Sequence, residues 1–177
     1  ELPCVITLKV DGSSFGMIKH PDGKVEVCSR NLSLKETEGN TFWKIYHKYG
    51  MDKIPNGIAL NGEVYGPGVN GNNLGETEHK LAAFNMYNLN DGRHLVQHHV
   101  MAFECDRFGV PVVKVLYKGT LKEKFKTIQD LIDFANIQKY PNGKAAEGIV
   151  IRPLTPRHSE TLNKNLSVKV ISENYKD

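Results

Sequence analysis

Short runs of β-branched and apolar residues, each cut off by strong turn chemistry, constrain this chain more than any other feature. Residues 5–10, VITLKV, stop at Asp11-Gly12, and residues 14–19 and 24–29 flank His20-Pro21-Asp22-Gly23. Runs this short, bounded by Gly, Pro and Asp, read as strands and not as helices. The Pro-Asp-Gly connection reads as a hairpin turn. Further strands are expected at 58–65, 80–88, 112–116, 147–153 and 167–171. Helical spacing predicts a helix over 36–49, with Phe42, Ile45, Tyr46 and Tyr49 toward the core. A second is expected over 127–137, with Thr127 as N-cap, Asp130 three residues on, and Ile128, Leu131, Ile132 and Ala135 facing inward. Residues 94–108 read as helix or loop, and the polar stretch 155–165 as a mobile loop. The sum is an α+β chain in which antiparallel strands dominate over a few helices.

With 177 residues and 40% hydrophobic content, the chain is long enough for one good core, so 1–177 reads as a single domain. Glu1-Leu2-Pro3 shows neither an initiator Met nor a signal pattern, and a strong strand begins at once. A domain taken from a longer chain is the expectation. No apolar run approaches the roughly 20 residues of a membrane helix. Three cysteines without a C-x-x-C pair argue against a disulfide framework or a cysteine-rich zinc site, and for a reducing, intracellular (cytoplasmic or nuclear) setting. His98 and His99 are adjacent and would point to opposite faces of a strand, and no H-E-x-x-H occurs, so a histidine zinc site is not expected. The net charge of +3 permits a polyanionic partner without demanding one.

Lys9, near the end of so apolar a strand, admits two readings. It either snorkels from an edge strand into water, or is partly buried and used as a nucleophile. Arg30 closes the second hairpin arm in Ser29-Arg30-Asn31, either as an exposed charge or as a guanidinium fork for ribose or phosphate oxygens. Glu63 sits in a strand that runs into a loop with four glycines and a proline, residues 66–75, of the kind that lets backbone approach a ligand. Phe84 is core or a flat ring closing over a purine. Glu147 opens EGIVIRP, and Lys169 lies in SVKVI.

Together and in this order, these stretches resemble the motif series of the covalent nucleotidyltransferases, the superfamily of ATP-dependent ligases and RNA-capping enzymes. Lys9-Val10-Asp11-Gly12 fits K-x-D-G. LKVDGSS looks like motif I, CSRN like motif Ia, NGEVYGPGVNGNNLG like motif III, LAAFNM like motif IIIa, EGIVIRP like motif IV and SVKVI like motif V. The resemblance covers nearly the whole chain, and its motif III loop and EGIVIR look closest to the adenylyltransferase domain of ATP-dependent RNA ligases.

That resemblance implies a nucleotidyltransferase (ATP-grasp-like ligase) domain of mainly antiparallel sheets with a few flanking helices. It implies Lys9 as the nucleophile that takes AMP from ATP, and Lys169 as the second catalytic lysine, at the α-phosphate. Lys9, Val10, Arg30, Glu63, Phe84, Glu147 and Lys169 would form the nucleotide site. Asp11, Glu63 and Glu147 would hold Mg²⁺ or Mn²⁺ largely through water. The implied partners are RNA 5′-phosphate and 3′-hydroxyl ends, as in RNA repair, and an accessory domain of the same chain; a monomer is expected. Two departures stand out: Leu8 replaces the acidic residue that often precedes the nucleophile, and Ser167 replaces the first motif V lysine, with Lys164 nearby but out of register. Alternatives on the same scaffold are a DNA ligase or a GTP-using capping enzyme, and beyond them a non-catalytic nucleotide- or RNA-binding module. Without a downstream OB-fold or accessory domain, the chain is expected to adenylylate itself but to seal nicks poorly.

Overall fold

The computed structural model describes residues 2–175. The strands are β1 (Pro3–Lys9), β2 (Ser13–Lys19), β3 (Val25–Cys28), β4 (Ser33–Leu34), β5 (Ile58–Tyr65), β6 (Lys80–Asn88), β7 (His94–Leu95), β8 (Val115–Thr120), β9 (Gly148–Pro153), β10 (His158–Ser159), β11 (Lys164–Asn165) and β12 (Val168–Ile171). The α-helices are α1 (Thr41–Lys48), α2 (His98–Phe108), α3 (Leu121–Lys124) and α4 (Ile128–Asn136). They are distributed over two compact units, one made by residues up to Asp11 and from Val113 onward, the other by residues 12–112.

The first unit is built on a sheet in the order β12-β9-β1-β8, its pairings all antiparallel. β1 lies inside this sheet, so five consecutive residues, Cys4 to Leu8, are buried. Its even-numbered face joins Ile149, Ile151, Phe125 and Ala135 in an apolar cluster against which Leu131 and Phe134 of α4 pack. Thr127 caps α4 as its sequence predicts: its Oγ1 accepts from the Asp130 amide at 3.1 Å, and the Asp130 carboxylate accepts from the Thr127 amide at 2.9 Å. Ile128 does not face inward; it is 79% exposed, and Phe134 takes a core position instead. In that apolar cluster the Phe125 ring stands edge-on to Phe134 at 5.4 Å.

The second unit holds a sheet in the order β4-β3-β2-β5-β6-β7, also antiparallel throughout. Phe15, Met17, Leu60, Val64, Leu81, Ala83 and Met86 point from it into one core, met by Ile45 and Tyr46 of α1 and by Met101 and Cys105 of α2. Phe42 and Tyr49 pack against that core, as the helical spacing requires. Gly12 begins this unit at a close approach. A Cβ there would collide with the Val64 carbonyl oxygen, so the turn after β1 admits glycine alone.

Four segments differ from the sequence expectation, the first being the helix expected over 36–49, which runs only over Thr41–Lys48 with Asn40 as its N-cap. The strand expected at 112–116 runs instead over Val115–Thr120, because Thr7 pairs with Val115 and Ile6 with Tyr117, leaving Leu116 as an extra residue in β8. His98 and His99 open helix α2 and do not lie in a strand. Within 155–165, β10 and β11 form a two-stranded ribbon, with His158 opposite Asn165 and Ser159 opposite Lys164.

Candidate active site

Lys9 ends β1 with its Cα opposite Gly148 of β9. Its strand is interior, not an edge, and its side chain is only 17% exposed. The Nζ atom lies 2.6 Å from Glu147 Oε1. A buried lysine is rarely left without a partner, and here the residue just before β9 supplies one. Gly148, the next residue, lets β9 lie close to β12: its φ is +144°, and a Cβ would strike the Val170 carbonyl oxygen of β12.

Lys169 is exposed on β12, with its Cα opposite Val150, which in turn lies opposite Thr7 of β1. Residues directly opposite one another in a sheet project to the same side. Thr7 and Lys9 share a face, so Lys9 and Lys169 project from the same face of this sheet. Asp11 is 8% exposed and Val10 half-buried, directly after the nucleophile candidate.

Tyr140 was not singled out from sequence, yet it binds these groups together. Its hydroxyl donates to the Lys9 carbonyl at 2.9 Å and accepts from the amides of Asp11 at 3.0 Å and Glu147 at 3.1 Å. The residue is 2% exposed, and burial pushes its phenol up to about 12, so it stays a neutral donor. A tyrosine beside a Pro-Asn-Gly turn carries no local signal of this role; its partners lie up to 131 residues away.

In the second unit, Glu63 faces Ser14 across the β2–β5 pair, on the side of the sheet opposite the core. Phe84 reaches the same side through a β-bulge. Asn61 pairs with Asn85 but Gly62 with Ala83, which leaves Phe84 with no counterpart in β5. Ala83 and Met86 both enter the core, so the two residues between them turn to the other face, where Phe84 is half-buried. Arg30 is exposed just past β3 and lines a groove on this outer face. The glycine loop is tied to the motif I turn by Asn70, whose Nδ2 donates to the Gly12 carbonyl, and Gly66, Gly68, Asn70, Gly71, Asn72 and Gly75 all have positive φ.

Among the described residues no three His, Cys, Asp or Glu side chains gather as direct metal ligands. The carboxylates Asp11 and Glu147 are hard oxygen donors suited to a hydrated Mg²⁺ or Mn²⁺ that keeps several waters and takes phosphate oxygens as its other ligands. That donor set fits the water-mediated binding expected of it.

A mostly antiparallel framework that presents a half-buried lysine against a carboxylate is the fold expected of a nucleotidyltransferase domain. The RNA ligase family profile matches residues 2–171, and the chain belongs to that family. Its fold is similar to that of Naegleria gruberi RNA ligase. An apo mutant of that enzyme matches with a TM-score of 0.80 and 22% identity over 97% of this chain and 49% of the other. A mutant with ATP and Mn matches with a TM-score of 0.80 and 23% identity over 97% and 49%, and the enzyme with PPi with 0.79 and 24% over 97% and 50%. The chain thus spans about half the length of the solved structures it matches. No curated protein sequence matches it.

Proposed function

We propose that this chain is the adenylyltransferase part of an ATP-dependent RNA ligase, working through a lysyl-AMP intermediate on Lys9. The observation that carries the reading is the 2.6 Å approach of Lys9 Nζ to Glu147 at the junction of two RNA-ligase-like motifs. The Lys9 amine attacks the α-phosphorus of ATP, an N–P bond forms, and the bond to pyrophosphate breaks. The AMP then passes to an RNA 5′-phosphate end, and a 3′-hydroxyl displaces it to join the strand.

Only the neutral amine can attack, and Nζ is held 2.6 Å from Glu147 Oε1. Glu147 therefore has to release Nζ before attack and can take its proton in doing so. Asp11, Glu63 and Glu147 would hold a hydrated Mg²⁺ or Mn²⁺, whose positive charge would help neutralise the phosphates. Lys169, on the same sheet face as Lys9, stabilises charge on the phosphate as pyrophosphate departs. Arg30 and Glu63 hold the ribose or phosphate side, Val10 lines the nucleotide, and Phe84 stacks on adenine. Ser167 stands at the first motif V position, so this chain has no motif V lysine there to help orient pyrophosphate.

The test is intact mass after incubation with ATP and Mg²⁺ or Mn²⁺. An acid-labile, hydroxylamine-sensitive adduct of one AMP is expected in the wild type and absent in Lys9→Ala. No adduct with either metal, together with measurable ATP affinity, would turn the reading to a nucleotide-binding module. An adduct formed from GTP in preference to ATP would turn it to a capping enzyme.

A further inference from the structure

Glu147 is held by both of its backbone groups. Its amide donates to the Tyr140 hydroxyl at 3.1 Å, and its carbonyl accepts from the Ser172 amide at 2.9 Å, one residue past β12. Ser172 is buried, and its Oγ and carbonyl accept from the amides of Asn174 and Tyr175, both at 3.2 Å. β12 itself gives this end little support. It is an edge strand of four residues, of which Val168, Lys169 and Ile171 are exposed. A strand with so few buried contacts opens at low cost unless something beyond it closes its end.

Asn136, the last residue of α4, closes it. Its Oδ1 accepts from the Glu173 amide at 2.7 Å and its Nδ2 donates to Glu173 Oε2 at 2.8 Å. The partners fix which way the Asn136 amide points, because a backbone N–H can only donate and a carboxylate can only accept. The Asn136 backbone carbonyl accepts from Asn174 Nδ2 at 3.1 Å, which satisfies one of the carbonyls a helix leaves open at its C-terminus. α4 is a firm post for this clasp, since its Leu131, Phe134 and Ala135 pack with Ile149 and Ile151 of β9.

We infer that Asn136 is a positioning residue for Glu147 and, through Glu147, for Lys9. Tyr140 holds Glu147 on its amide side, and Asn136 holds it on its carbonyl side by way of Glu173 and Ser172. Fixed from both sides, the Glu147 backbone sets where its carboxylate meets Nζ, at 2.6 Å. The same clasp steadies the end of the strand that carries Lys169. A small misplacement caused by a residue remote from the reacting atoms can slow a reaction by up to about 100-fold. The consequence for lysyl-AMP formation rests on the ligase reading of Lys9, Glu147 and Lys169.

The experiment compares wild type, Asn136→Asp, Glu173→Gln and the double variant. Single-turnover lysyl-AMP formation is measured against ATP concentration, with amide hydrogen exchange at Ser172 and thermal unfolding followed on the same proteins. Asn136→Asp keeps an acceptor for the Glu173 amide but sets carboxylate against carboxylate. Adding Glu173→Gln supplies a donor and reverses the direction of that bond. In Asn136→Asp the limiting rate is expected to fall about tenfold, with ATP half-saturation within about twofold of wild type and faster exchange at Ser172. Glu173→Gln alone and the double variant should behave as wild type. A residue that only stabilised the fold would lower the unfolding temperature and the fraction that reacts, and leave the limiting rate alone. A wild-type limiting rate in Asn136→Asp, unchanged exchange at Ser172, or slowing that Glu173→Gln does not restore each overturns the inference. If the wild type forms no adduct, the ligase reading fails by itself, and exchange at Ser172 still upholds or overturns the clasp. If Asn136→Asp does not fold, Asn136→Ala, which drops the bonds without adding a charge, decides.

Discussion

The hydroxyl of Tyr140 lies 2.9 Å from the carbonyl oxygen of Lys9, its hydrogen-bond partner across 131 residues of sequence. The Tyr140 hydroxyl oxygen also accepts from the amides of Asp11 and Glu147, so one buried phenol sets the spacing between the strand that carries the lysine and the strand that follows the carboxylate. Tyr140→Phe keeps the ring but leaves three backbone groups unpaired, each costing about 1–3 kcal/mol when buried. The expected outcome is a lower first-order rate of lysyl-AMP formation at saturating ATP, per folded molecule, with ATP affinity little changed. A purely structural residue would lower only the fraction of protein that reacts, which single-turnover mass measurements separate from rate.

Glu147→Gln retains the shape of the carboxylate and removes its charge. If Glu147 helps to hold a hydrated cation, its loss should slow adenylylation by about 100-fold and raise the Mn²⁺ concentration needed for half-maximal rate. Titrating the metal in both proteins checks it. Equal metal dependence with a lower rate would confine Glu147 to the Lys9 partnership.

Phe84 owes its direction to the bulge opposite Asn61 and Gly62. If it stacks on adenine, Phe84→Ala should weaken ATP binding by about 1–3 kcal/mol, and Phe84→Trp should restore it. Single-turnover rates against ATP concentration would show the loss in half-saturation more than in the limiting rate.

Cys105 is 1% exposed, and burial, with a smaller push from Glu104, raises its thiol from 9.0 to about 12. A folded-state value above the unfolded one means the unfolded chain loses the proton first as pH rises. Its contribution to stability is therefore complete below pH 9 and is lost between 9 and about 12. Denaturant midpoints over that range should fall more steeply for wild type than for Cys105→Ala. The same burial makes the native thiol slow toward alkylating reagents at neutral pH.

Much of the architecture was legible in one dimension because its signals are local. Turn chemistry at His20-Pro21-Asp22-Gly23, alternation in β2, β5 and β6, and the Thr127–Asp130 capping box each depend on residues within a few positions of one another. Motif spacing likewise picked out Lys9, Glu63, Glu147 and Lys169, each carried on or beside a strand. Helix α2 was ambiguous because its hydrophobic periodicity is weak: of its 11 residues only Met101 and Cys105 are buried.

What the sequence by itself determined is therefore the set of elements and the chemical types available at their ends. The tertiary structure alone decided which groups meet. It put β1 inside its sheet, which turned an ambiguous lysine into a half-buried one 2.6 Å from a carboxylate. It placed an extra residue at Phe84 and so aimed the ring away from the core, and it brought Tyr140 to three backbone groups. Strand order, register slips and long-range hydrogen bonds arise from pairing free energies summed over the whole chain, and no window of sequence contains them.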